Sequence, residues 1–184
     1  MARVLITGGS SFVAKLLVPF LTEQNHEVVV ATRQPNTNPS ITSVSVGNID
    51  GKTDWSDALK GIDTVIHLAA TPITPSGPTV EASWKTFMTL NRDGTARLVQ
   101  TCADVGISKF IYLSSILACG EGSQDGSAFR DDGHPAPTDG YGTSKRAGED
   151  AVREICSKSD MDYVILRPAP IYGPGLTNSI LKLF

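Results

Sequence analysis

The chain has 184 residues, 40% of them hydrophobic and 19% charged, which suits one domain with one sizeable core. Its 16 basic and 19 acidic residues give a formal net charge of -3 with no basic stripe, which argues against a nucleic-acid partner. No apolar run approaches the ~20 residues that span a bilayer. Met1-Ala2-Arg3 leads directly into an apolar strand, so no membrane association and a cytoplasmic location are expected.

In chain order, Val- and Ile-rich runs predict strands at Val4 to Ile6, Glu27 to Ala31, Thr64 to Leu68, Phe110 to Leu113 and Tyr163 to Leu166, each buried on both faces. A weaker strand is expected at Ser43 to Val46 and a short helix at Trp55 to Lys60. Helical spacing runs through Phe12 to Glu23, Val80 to Val105 and Tyr141 to Ser157, with Leu90, Ala96, Leu98, Val99 and Cys102 on one apolar stripe. Strand and helix alternate, so the fold class is α/β: a doubly wound parallel sheet with right-handed crossovers and helices on both faces. Ligands then bind beyond the carboxyl ends of the strands. Three loops, Gln34 to Ser43, Thr71 to Thr79 and Gly120 to Gly140, are rich in Pro, Gly, Ser or Thr, and the length of the last suggests a substrate lid. Cys102, Cys119 and Cys156 are odd in number and widely spaced, so reduced thiols are expected and no metal site.

Thr7-Gly8-Gly9-Ser10-Ser11-Phe12-Val13-Ala14 follows the first strand and opens the first helix. A pyrophosphate needs a tight turn, close backbone approach and the open amides of a helix N-terminus. Gly8 supplies the turn; Ser11 and Ala14 stand where the fingerprint has its other glycines, and Ser11 adds a side chain where clearance matters. A glycine turn that only reverses the chain is the competing reading. After the second strand, Arg33 stands where an NAD-preferring fold usually has an acid, so the balance leans towards NADP(H) through a 2′-phosphate contact. A solvated surface arginine explains it equally well.

Tyr141 and Lys145 lie four residues apart, on one helical face if the helix begins near Asp139. A positive charge near a phenol favours phenolate and brings it towards acid-base use. Ser114-Ser115 ends the strand from Phe110, placing a hydroxyl at the ligand edge of the sheet.

With Gly47-Asn48-Ile49-Asp50, Val65-Ile66-His67-Leu68-Ala69-Ala70, Asn91 with Gly94-Thr95, Leu166-Arg167-Pro168 and Tyr172-Gly173-Pro174-Gly175, these motifs resemble the extended short-chain dehydrogenase/reductase superfamily, NAD-dependent epimerase/dehydratase branch, over the whole chain. The resemblance implies a Rossmann-like domain over residues 1–184. It makes Tyr141 the acid/base, has Lys145 orient the nicotinamide ribose and depress the tyrosine pKa, and has Ser115 polarise the reacting oxygen. Gly8, Ser10, Ser11, Phe12 and Val13 would hold the pyrophosphate, Asn48 and Ile49 would lie near adenine, and Leu68, Ala69 and Ala70 would line the ribose side. Asn91 joins the cofactor contacts, and Pro168 to Ile171 would face the nicotinamide. Without the resemblance, Leu68 to Ala70 are a buried strand end and Asn91 a satisfied polar group in a helix.

Leu113-Ser114-Ser115-Ile116 and Gly120-Glu121-Gly122 look most like nucleotide-sugar 4-epimerases and 4-ketoreductases, with a nucleotide-sugar as substrate and a homodimer as a conceivable assembly. Cys119 and Pro170 depart from the Tyr and Asn usual there and leave the sugar open. A reductase of other ketones or steroid-like alcohols, and a non-catalytic NADP(H)-binding protein, are the alternatives. The family places most substrate-binding residues after Tyr-Gly-Pro-Gly, so that portion is expected to be absent here and catalysis by this chain alone to be weak. Asn178 to Phe184 is expected to begin an apolar helix.

Overall fold

Branched aliphatic runs suit a pleated surface covered on both sides, and they form six parallel strands. These are β1 (Arg3–Thr7), β2 (Glu27–Thr32), β3 (Ser43–Ser45), β4 (Thr64–His67), β5 (Lys109–Leu113) and β6 (Asp162–Leu166), in the order β3-β2-β1-β4-β5-β6. The computed structural model describes residues 1–35, 38, 40–71, 80–120, 122, 128–129 and 136–175. Most of the expected lid, most of the loop after Thr71 and the expected helix from Asn178 lie outside the described residues.

The helices are α1 (Phe12–Glu23), α2 (Val80–Phe87), α3 (Thr95–Asp104) and α4 (Gly140–Cys156). Period-2 alternation divides the core between two faces. Val4, Ile6, Ile66 and Leu68 pack with Ala14 and the apolar side of α1. Leu5, Val65, Phe110 and Tyr112 pack with Leu98, Val99 and Cys102 of α3 and Val152 and Cys156 of α4. Each fully buried aliphatic or aromatic side chain of this kind stabilises by about 1.5–3 kcal/mol. No helix among the described residues is long and apolar enough to cross a membrane.

Three expectations need correction. Trp55 to Lys60 forms hydrogen-bonded turns, with Leu59 N donating to Trp55 O at 3.0 Å, because Trp55 and Leu59 are drawn into the core before a regular helix develops. The long helix from Val80 is interrupted by a π segment, Met88–Gly94, between α2 and α3. β6 is an edge strand whose Tyr163, Val164 and Leu166 are exposed. Val164 pairs with Ile111, which packs on the α1 side, and α1 does not reach that far across the sheet.

The buried polar groups form a connected tie beneath the ligand edge. Ala69 N donates to Thr7 Oγ1 (3.2 Å), Thr7 Oγ1 meets His67 Nδ1 (2.7 Å), and His67 Nε2 meets Thr95 Oγ1 (3.0 Å). A neutral imidazole donates through one ring nitrogen and accepts through the other, so the two threonine hydroxyls satisfy both nitrogens of His67. Burial first and Lys145 second push the His67 pKa down to about 3, so the imidazole is neutral.

α4 approaches β5 through glycine. A Cβ on Gly148 would collide with Tyr112 Oη and lie 2.5 Å from Asn91 O, while one on Gly142 would collide with Leu117 O. Gly148→Ala is therefore expected to destabilise the chain by about 1–3 kcal/mol, read as a lower urea midpoint, although Gly→Ala inside an exposed helix normally stabilises. An unfolded histidine takes up its proton below about pH 6.5, whereas native His67 does so only near 3. The stability it contributes is thus complete above pH 6.5 and is lost as pH falls through that window, about 2 kcal/mol by pH 5. Urea midpoints at pH 7 and 5 should show that slope, and His67→Gln should flatten it.

Candidate active site

All six strands run parallel, so their carboxyl ends share one edge, and the order reverses between β1 and β4. There the chain turns at Gly8, with φ +73°, a conformation that favours glycine. A Cβ at Gly8 would stand 2.7 Å from Ala69 N, and one at Gly9 would collide with Val30 Cγ1. Both glycines are thus fixed by packing of the turn on β4 and β2.

Ser11 proves to be the N-cap of α1, its extended backbone (φ -68°, ψ 157°) open to any residue and its Oγ accepting from Ala14 N at 3.2 Å. Its carbonyl accepts from Lys15 N at 3.1 Å. Helix geometry leaves the Phe12 and Val13 amides of the first turn without intrahelical partners, directed past exposed Ser10. Serine here builds the helix start.

On the β2 and β3 side, Arg33 and Asn48 are exposed, whereas Ile49 packs on the core and its Cγ2 lies 2.7 Å from where a Gly94 Cβ would stand. Leu68 and Ala69 are buried at the end of β4, with Ala70 half-buried beside them. Pro168 O accepts from Ile116 N at 3.0 Å, so the segment after β6 runs along the end of β5. It then passes exposed Ile171 and returns to the glycine turn, where a Cβ on Gly173 would touch Phe12 Cζ at 3.4 Å. The glycine turn and the end of β5 therefore lie on either side of the carboxyl ends of β1 and β4.

Ser115 caps the 3-10 turn Ile116–Ala118, its Oγ accepting from Leu117 N at 3.2 Å, which leaves its proton to donate. α4 starts where expected: the Asp139 carboxylate accepts from Gly142 N at 2.9 Å and sets Tyr141 and Lys145 on one face. Tyr141 is half-buried against the edge of Phe87, ring centroids 5.8 Å apart. Burial and then Asp139 raise its pKa, and a hydrogen bond with Ser115 pulls it down.

Lys145 is buried, with Nζ donating to Leu113 O at 2.7 Å and lying 4.2 Å from the Tyr112 ring centroid. Burial pushes its pKa down to about 7, opposed by Glu149. In this structure the Lys145 ammonium is directed at β5, and Ser115 is the group that pulls the phenol down.

Asn91 also differs from expectation. Its Nδ2 donates to Ser144 Oγ (2.9 Å), its Oδ1 accepts from Thr71 N (2.9 Å), and the residue has no exposed surface. Ser144 Oγ in turn donates to Tyr141 O at 2.7 Å. The Asn91 side chain therefore ties the π segment to the start of α4 and to Thr71. Sequence reading gave no role to Ser144, Ser114, His67 or Glu149, all buried polar residues; the available signal was a polar residue inside an apolar run or one helical turn beyond Lys145.

Residues 4–182 match the NAD dependent epimerase/dehydratase family. Among relatives, UDP-glucose 4-epimerase of Vibrio cholerae is 33% identical over 98% of this chain and 55% of its own length. The 3-beta-hydroxysteroid dehydrogenase of Mycolicibacterium neoaurum is 33% identical over 100% of this chain and 51% of its own. The solved structure of MoeE5 in complex with UDP-glucose and NAD superposes with a TM-score of 0.80 and 27% identity, covering 95% of this chain and 56% of that one. The chain spans about half the length of the curated relatives it matches. With the family model covering residues 4–182 and a relative 33% identical over 98% of the chain, the chain belongs to the NAD-dependent epimerase/dehydratase family.

Proposed function

We propose that this chain is the cofactor-binding and acid/base portion of an oxidoreductase or epimerase acting on a nucleotide-linked sugar. The observation that carries the reading is the meeting of Tyr141 and Ser115 at the end of β5, with buried Lys145 one helical turn on, across a groove from the open amides of α1. The residues present fit a dinucleotide: the turn at Gly8 and Gly9 has no room for side chains, and the first turn of α1 offers unpartnered amides to a pyrophosphate. Nicotinamide, when bound, supplies a hydride acceptor or donor at C4.

For the substrate, the Ser115 hydroxyl donates to the reacting oxygen and orients it. Tyr141 exchanges the proton of that oxygen: its phenolate accepts the proton as the alcohol becomes a carbonyl, and the phenol so formed returns it on reduction. Lys145, titrating near 7, is the charge closest to the switching point at neutral pH and holds the end of β5 through Leu113 O. Phe87 packs edge-on with the Tyr141 ring and steadies it.

The sugar assignment is supported by the 4-epimerase relative and by the sugar nucleotide in MoeE5. The steroid dehydrogenase of equal identity favours a second reading, an alcohol dehydrogenase of hydrophobic substrates on the same groove. A non-catalytic binding role loses one of its two arguments, because Ser11 serves as a helix cap. The lean towards NADP(H) rests on exposed Arg33 alone, whereas the solved neighbour carries NAD.

Calorimetric titration with NAD, NADH, NADP and NADPH should give saturable binding; failure of all four would refute the reading. A preference for the phosphorylated pair that disappears in Arg33→Ala would assign the 2′-phosphate contact, and equal affinities would dismiss it. Tyr141→Phe should leave nucleotide affinity within about twofold and lower turnover of a sugar nucleotide or a hydrophobic alcohol by about 10²-fold or more. Comparison of the two substrate classes separates the readings.

A further inference from the structure

Glu149 lies on α4 one turn beyond Lys145 and has no exposed surface. Its carboxylate is held by three separate parts of the fold. Ser114 Oγ, at the end of β5, donates to Oε1 at 2.6 Å. Arg167, the residue after β6, forms a two-pronged pair, Nε to Oε1 at 2.8 Å and Nη2 to Oε2 at 2.7 Å. From α4 itself, Arg153 Nη1 donates to Oε2 at 3.1 Å, with Arg146 Nη1 at 3.7 Å. A buried carboxylate left without such partners would be strongly unfavourable, so the geometry of all three parts is coupled to this one group.

Each anchored neighbour is adjacent in sequence to a piece of the proposed site. Ser114 precedes Ser115, Arg167 precedes Pro168, and Lys145 sits four residues before Glu149 on the same helix. We propose that Glu149 is a positioning residue: one buried carboxylate clamps the end of β5 and the segment after β6 to α4, fixing Ser115, the Pro168–Ile171 segment and Lys145 relative to one another. Glu149 touches neither substrate nor cofactor in this arrangement. The two-pronged arginine pair matters because it fixes an angle as well as a distance, which a single lysine contact would not. The proposal rests on the cofactor-site reading above.

Its test uses the full chain, with a readout that a purely structural role would not move. The groups that act on Lys145 are the Tyr112 ring on β5, His67 on β4 and Glu149 on α4, and Glu149 is in turn paired with Arg146, Arg153 and Arg167. The titration of Lys145, followed by NMR of isotope-labelled lysine and assigned with Lys145→Arg, reports the clamp directly. In Glu149→Gln the titration should move down by about one unit, because the carboxylate favours the ammonium. NAD affinity by calorimetry should fall about tenfold in the same variant.

In Arg167→Gln the Lys145 titration should move up, because the carboxylate loses a compensating charge, while NAD affinity again falls. Opposite titration shifts with parallel affinity losses are the signature of the clamp. A folded Glu149→Gln chain with unchanged Lys145 titration and unchanged affinity overturns it. If Glu149→Gln does not fold, Arg167→Gln decides by the same two measurements. If the unsubstituted chain binds no NAD, the cofactor reading fails, and the opposite titration shifts still decide whether the clamp exists.

Discussion

The contact on which the rest of the site depends is the approach of α4 to the end of β5. Gly142 lies against the Leu117 carbonyl, and Gly148 lies against the Tyr112 hydroxyl and the Asn91 carbonyl, with no space for a methyl group at either. Gly142 and Gly148 within this 17-residue helix are unfavourable for helix formation, by roughly 1 kcal/mol each. What they permit is close packing of helix on strand. That packing lets a lysine side chain reach the Leu113 carbonyl and brings a tyrosine to the serine that follows the strand. A side chain at Gly148 would push α4 away from β5 and separate the groups that must meet.

A second consequence of that closeness is electrical. Lys145, His67 and Glu149 are all removed from solvent within one small volume. Such groups are tolerated only when each has partners, and each solves the problem differently. His67 discards its charge and takes a threonine on either ring nitrogen. Lys145 is brought to the verge of losing its proton and uses a carbonyl and the face of Tyr112. Glu149 keeps its charge because arginine and serine surround it. The result is a lysine whose proton is easily moved beside a tyrosine whose proton is tightly held, an arrangement that a bound, charged nucleotide would readjust.

A sugar epimerase and a steroid dehydrogenase match this chain at the same identity, 33%. The fold they share with it therefore does not by itself fix the substrate, and the proposed function must be argued from the site.

Much of this was legible from local pattern. Alternating apolar runs and helical spacing dictated a parallel sheet with helices on both faces, because those periodicities report local backbone geometry and one-dimensional burial. Gly8 beside the start of α1, and Tyr141 four residues before Lys145, could be read because their spacing along one element fixes their relation in space. Tertiary structure decided whatever depends on residues far apart in the chain. Ser11 looked like a defect in a phosphate turn and became a cap. Asn91 looked like a cofactor contact and turned inward to Ser144 and Thr71. β6 looked buried and became an exposed edge. Spacing puts Glu149 one turn beyond Lys145 but does not give its partners, because Ser114 and Arg167 lie 35 and 18 residues away. Periodicity reveals which way a side chain faces; only the folded chain determines what it meets there, and burial then sets its charge.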